Sequence, residues 1–85
     1  MTDYLINIYC PSTSKSYDFW IPKTMKISDC IDQLCDSICE FENNQNIFKD
    51  RNALFLCSYL EKSVLTSGLT LDAAGVRSGD RLAIV

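Results

Sequence analysis

The chain has 85 residues, 47% of them hydrophobic and 22% charged, with a formal net charge of −3 and no histidine. This length predicts a single domain over residues 1–85 whose small core buries only about 60 to 65% of the unfolded surface. The scattered Lys and Arg leave no basic stripe for nucleic acid, and no apolar run approaches the roughly 18 residues needed to span a bilayer, so no direct membrane insertion is expected.

The N-terminus, with Asp3 and Tyr4 leading straight into an apolar run, lacks a signal-peptide layout, and the chain reads as cytoplasmic. Tyr4 to Cys10 and Tyr17 to Ile21 are rich in β-branched and aromatic residues, and the polar stretch Pro11 to Ser16 between them predicts a β-hairpin. Alternation puts Tyr4, Ile6 and Ile8 on one face of the first strand and Tyr17, Phe19 and Ile21 on one face of the second.

Ser28 is placed to cap a helix, with Ile27 as its hydrophobic lead-in and Asp29 in the first turn, where the helix dipole favours an acid. Ile31, Leu34, Cys35, Ile38 and Phe41 then recur at intervals of three and four before the pattern fades into Asn43-Asn44-Gln45-Asn46, which predicts about four turns. After the turn-like Lys49 to Asn52, the apolar run Ala53 to Cys57 predicts a buried strand. Tyr59 to Gly68 reads as a loop with a short edge strand around Ser63 to Leu65.

The closing segment is the most specific. Leu69, Leu71 and Ala74 form an apolar turn that reaches Gly75, and a second turn at Gly79-Asp80 leads into an alternating run through Leu82 and Ile84. Both glycines stand where positive φ is expected, one ending a helical turn and one entering a strand. With no repeat, low-complexity stretch or linker, the order predicts an α+β roll with one main helix and one mixed sheet.

Five cysteines, Cys10, Cys30, Cys35, Cys39 and Cys57, are an odd number in a chain not marked for export, and they are expected as free thiols. At 100° per residue Cys35 and Cys39 share one flank of the helix while Cys30 lies about 140° from Cys35, so the three cannot converge on one metal. Without histidine there is no cysteine–histidine pair for nucleophilic catalysis. No catalytic residue, metal or cofactor is therefore expected.

Two surfaces remain as candidates for binding. Asp29, Asp32, Asp36 and Glu40 line one helical ridge with no basic residue among them, either as a solvated face or as an acidic docking ridge for a basic partner. If Ile6, Ile8, Phe19, Ile21, Leu54, Leu56, Leu82 and Ile84 face the helix, the opposite sheet face carries Leu5, Tyr9, Trp20, Phe55, Ala83 and Val85. So apolar a face predicts protein recognition or self-association into a homo-oligomer.

The hairpin, the helix, the short strand and the ending from Leu69 through Gly75-Val76 and Gly79-Asp80-Arg81-Leu82 to Val85 together resemble the ubiquitin-like, or β-grasp, fold. The resemblance implies strand order 2-1-5-3-4, in which the six outward residues form a stripe from Trp20 towards Phe55, on the face by which ubiquitin is read. Within that fold the chain is similar to the YukD/EsaB family, small bacterial cytosolic proteins of type VII (Ess/Yuk) secretion systems, encoded with WXG100 substrates and a membrane ATPase of the FtsK/SpoIIIE type. That similarity implies a non-catalytic accessory or regulatory role with a secretion-system component as partner. Ubiquitin-like modifiers and sulfur carriers act through a flexible Gly-Gly tail, and the sequence given ends Arg81-Leu82-Ala83-Ile84-Val85. A modifier or carrier whose Gly-Gly is missing here, and an N-terminal domain of a multi-spanning secretion-channel component, stay open as alternatives.

Overall fold

A computed structural model describes residues 3–59 and 62–85. Strands β1 (Asp3–Cys10) and β2 (Lys15–Pro22) form the hairpin, followed by helix α1 (Ile27–Phe41), a 3₁₀ turn (Arg51–Ala53), β3 (Leu56–Ser58), β4 (Ser63–Val64) and β5 (Arg81–Ile84). The strands make one mixed sheet in the order β2-β1-β5-β3-β4, with β1 and β5 parallel and the other neighbours antiparallel. Because parallel neighbours need a long crossover, α1 and the later connections return the chain across one sheet face, and the core forms between them.

Alternation decides which side chains meet there. Ile6, Ile8, Leu56, Leu82 and Ile84 from the sheet and Ile27, Leu34, Cys35 and Ile38 from the helix are fully or almost fully buried, as the two periodicities require. Phe19 and Leu54, also expected there, are only half-buried at the margin of this cluster.

The helix starts differently from the sequence expectation. Ser28 is not its cap: the N-cap is Lys26, which makes no side-chain cap bond, and Ile27 is already helical. The free N–H groups of the first turn are satisfied instead by carbonyls of the loop before β5, with Ile27 N donating to Leu69 O at 2.8 Å and Ser28 N to Ser67 O at 3.1 Å. A distant backbone segment thus takes over the work of a local hydroxyl.

At the other end Asn43 has φ 51°. The N–H groups of Asn43 and Asn44 donate to Glu40 O and Cys39 O, the Schellman pattern that stops a helix. Phe41, expected in the core, is 69% exposed, and its ring stacks on Tyr17 and packs against Phe19 at centroid distances of 6.0 and 6.3 Å.

That aromatic corner is closed by Glu42, whose carboxylate accepts from Lys15 Nζ at 2.8 Å and from Tyr17 Oη at 2.9 Å. The lysine first, and the tyrosine after it, hold the Glu42 carboxyl below its ordinary value of 4.5. A carboxyl with a depressed folded-state pKa contributes stability that is complete above its unfolded value and is lost as pH falls through the folded one. The melting temperature is therefore expected to fall more steeply below about pH 4.5 in the wild type than in a Glu42→Gln variant, as followed by circular dichroism.

The strand expected at Ala53 to Cys57 begins later. Ala53 belongs to the 3₁₀ turn, which Asp50 caps by accepting from Asn52 N, and the regular strand runs only from Leu56 to Ser58. Phe55 nevertheless exchanges both backbone bonds with Val85, at 2.7 and 2.9 Å, so the pairing with the end of the chain extends beyond the strand. The edge strand expected near Ser63 is β4; Leu60 and Glu61 of the surrounding loop lie outside the described residues.

The segment before β5 matches its sequence closely. Thr70 Oγ1 accepts from Ala73 N, Ala74 N donates to Thr70 O, and Gly75 at φ 89° ends this single helical turn. Leu71 beneath it is completely buried. The next turn is closed by Asp80, whose carboxylate accepts from Arg77 N at 2.9 Å.

Candidate functional site

The sheet face opposite α1 is the first of the two candidate surfaces, and its layout follows from the strand registers. Paired residues project to the same side of a sheet, so Leu5 stands beside Trp20 and Asn7 beside Asp18 on one flank and Arg81 on the other. Tyr9 stands beside Ala83, Ala83 beside Cys57, and Cys57 beside Val64. Phe55 and Val85 face one another just beyond that row.

These registers correct the single stripe implied by the strand order. Leu5 and Trp20 form one apolar corner, with Trp20 58% exposed. Tyr9, Ala83, Val85 and Phe55 belong to a second patch, where Phe55 and Val85 are 51% and 49% exposed. Between them runs a polar row in which Asn7 Nδ2 donates to Asp18 Oδ1 at 3.0 Å. Ala83 is only 8% exposed, so it floors the second patch rather than offering a contact of its own.

Three residues belong to this face that sequence patterning did not single out. Val64 lies at the outer end of the second patch, and Tyr59 and Arg81 border a shallow depression of about 230 Å³ shared with Asn7, Tyr9 and Ser16. Arg81 joins none of the ion pairs formed among the described residues. The signal for Arg81 was its alternation with Ala83, and for Tyr59 its alternation with Phe55 and Cys57; Val64 depends on the pairing of β3 with the short edge strand expected around Ser63 to Leu65. A guanidinium that joins no ion pair among the described residues and lines one depression with two tyrosines, next to exposed Phe55, Val64 and Val85, has the composition of a protein-binding centre.

The helical ridge is broken in its middle. Asp29, Asp32, Asp36 and Glu40 are all exposed, but Arg51 from the 3₁₀ turn pairs with Asp36 at 2.6 Å and reaches the Asp32 carbonyl at 3.5 Å. Among the described residues Asp29 and Glu40, towards the two ends, join no ion pair.

The thiols lie apart from both surfaces, except one. Cys10, Cys30, Cys35 and Cys39 are buried and Cys57 is partly exposed. Burial, with smaller contributions from nearby acids, pushes Cys30 and Cys35 up to about 11, which keeps them as unreactive thiols at neutral pH. Brief treatment of the native protein with iodoacetamide is expected to add one equivalent, at Cys57, and denaturation to release the four buried sites, as read by intact mass. Among the described residues no three His, Cys, Asp or Glu side chains form a group able to hold a metal, and no helix is long and apolar enough to cross a membrane.

Solved structures share this arrangement over almost the whole chain. The ubiquitin-like domain of EccD5 from Mycobacterium xenopi superposes with a TM-score of 0.78 at 18% identity, covering 100% of this chain and 94% of that one. The fold is ubiquitin-like. The corresponding domain of the Mycobacterium tuberculosis type VII secretion protein EccD1 gives 0.71 at 20% identity, with coverage of 100% and 99%. The ubiquitin-like domain of Plasmodium falciparum Dsk2 gives 0.72 at 13%, covering 98% of this chain and 96% of that one. No protein-family model matches the chain, and no curated protein matches it. At these identities the likeness concerns the ubiquitin-like scaffold, a β-grasp sheet of order 2-1-5-3-4 over one helix.

Proposed function

We propose that this ubiquitin-like domain is a non-catalytic, cytoplasmic protein-binding module of a bacterial type VII secretion system, with an accessory or regulatory role of the YukD/EsaB kind. The observation that carries the binding role is the second apolar patch, where Phe55, Val64 and Val85 stand exposed around the floor of Ala83 and Cys57, with Arg81 beside it. The secretion assignment is supported by the likeness to the EccD domains. Those two likenesses also favour a second reading, in which the domain is one unit of a larger secretion component.

The test is genetic and structural together. A host strain lacking the gene is expected to stop exporting its type VII substrate and to recover with the wild-type gene. A Phe55→Ala/Val64→Ala variant, folded by circular dichroism, is expected to restore export at least about tenfold less well, the loss typical of removing central contacts. Unchanged export in the deleted strain refutes the secretion role; full rescue by the double variant refutes this face as the binding surface. Sedimentation of the purified protein distinguishes a second copy from a foreign partner on the same face.

A further inference from the structure

We propose that the depression around Arg81 is a seat for one carboxylate, so that the protein partner of this face presents an aspartate or glutamate beside its apolar contact. The inference rests on the outer sheet face as the binding surface and names the chemistry of what binds there. The strand registers build the seat. Asn7 of β1 stands opposite Arg81 of β5, and on the other side Tyr59 N donates to Arg81 O at 3.3 Å, continuing the pairing of β3 with β5. Tyr9, two residues along β1 from Asn7, stands opposite Ser16 of β2. The five side chains share one side of the sheet and border a space of about 230 Å³.

What lines that space is a set of hydrogen-bond donors with one positive charge and no acid. Among the described residues Arg81 joins no ion pair, and the side chains of Tyr9, Ser16, Tyr59 and Arg81 form no hydrogen bond with one another or with the rest of the fold. The guanidinium offers paired N–H groups in the geometry that a carboxylate accepts, and the three hydroxyls are further donors. Once a partner covers the face, the tyrosine rings help to exclude water from the ion pair, which strengthens it.

Charge at the margin limits the guest to a single negative charge. Asp18 lies on the far side of Asn7, whose Nδ2 donates to it at 3.0 Å. Asp80 precedes Arg81, lines the adjoining hollow with Tyr59 and Gly79, and accepts from Arg77 N. One arginine balances one carboxylate, whereas a phosphate group, with a charge of about −1.5 to −2 at neutral pH, leaves an uncompensated charge near these two acids. The depression shares Tyr59 and Arg81 with the adjoining hollow, so it is open on that side and lets a partner chain pass across it, as an internal aspartate or glutamate requires. Ala83, the floor of the apolar patch, is two residues along β5 from Arg81, which sets the partner's acid and its apolar side chain about 7 Å apart.

The test is an NMR titration of the ¹⁵N-labelled protein, at constant ionic strength, with a short capped peptide of one glutamate flanked by leucines. Expected are shifts of the Arg81 Nε–H signal and of the amides of Asn7, Tyr59 and Ala83. Binding is expected to weaken about tenfold when glutamine replaces the glutamate, and equally when Arg81→Gln meets the original peptide. Absence of shifts, equal binding of the glutamine peptide, undiminished binding by Arg81→Gln, or tighter binding of a peptide with phosphoserine in place of the glutamate overturns the proposal. Arg81 is exposed, so its exchange leaves the core untouched; if the variant nevertheless does not fold, the glutamine peptide decides. Phe55→Ala/Val64→Ala separates the seat from the reading it rests on, because it is expected to bind more weakly while keeping the preference for glutamate over glutamine. Unchanged binding by that double variant, with loss in Arg81→Gln, refutes the apolar patch and upholds the carboxylate seat.

Discussion

Replacing Leu71 with alanine is expected to lower the unfolding free energy by about 3 kcal/mol, within the range of roughly 2 to 5 found for fully buried leucines. Leu71 has no exposed surface although it belongs neither to the sheet nor to α1. Its N–H donates to Met25 O and its carbonyl accepts from Val76 N, so the backbone around it is pinned on both sides and cannot collapse into the space left behind. The same connection supplies the carbonyls of Ser67 and Leu69 that satisfy the start of α1, and loosening it also frees those helix N–H groups. For 85 residues the total stability is about 4 to 13 kcal/mol, so a loss of this size removes a large share of it and lowers the melting temperature by more than about 10 °C. Urea unfolding measures it as a lower midpoint with an unchanged slope. A loss below about 1 kcal/mol would mean that this segment is not packed in solution as it is here.

That segment also shows why some of the fold was legible and some was not. At Gly75, Gly79 and Asp80 the requirement is local, a positive φ or a bond to a residue three positions away, and requirements of this kind leave a mark in local sequence. The hairpin and the face of α1 are equally local, set by periods of two and 3.6. Ser28 misled because its competitor for the helix start is a loop far along the chain, and nothing near Ser28 records that Leu69 and Ser67 supply the carbonyls. Phe41 fits the helical period, but it sits where the helix passes the margin of the sheet, so it packs sideways on Tyr17 and Phe19 rather than inward.

The candidate sites follow the same rule. Alternation identified the residues that share the outer face, but their arrangement into two patches depends on the pairing of β1 with β5 and of β3 with β5, which joins remote segments. The acidic ridge was plain from its spacing, while the Arg51 that divides it comes from a turn beyond the helix. Face membership is a property of one strand or helix. Proximity across a face belongs to the whole topology, and for that reason Arg81, Tyr59 and Val64 emerged only with the sheet assembled.

Replacing Gly79 with valine is expected to cost about 2 to 3 kcal/mol, the upper part of the range for a residue held in a disfavoured backbone region. Gly79 has φ 96°, where a β-branched side chain is most strongly opposed. A Cβ at this position meets nothing within 4 Å, so the cost does not come from a packing clash. Relief by rotating the backbone is blocked from two sides, because Gly79 N donates to Leu5 O at 2.8 Å and the turn is held by Asp80 bonding to Arg77 N. Gly68 supplies the contrast, since its surroundings are equally open and its φ is not positive. Gly68→Ala is expected to be stabilising by about 0.4 to 1 kcal/mol through the smaller entropy of the unfolded chain. The two variants together separate backbone strain from the general loss of a glycine: denaturation midpoints that moved in the same direction would show that the Gly79 turn does not hold its positive φ in solution, whereas opposite movements tie the entry of β5 to that one backbone angle.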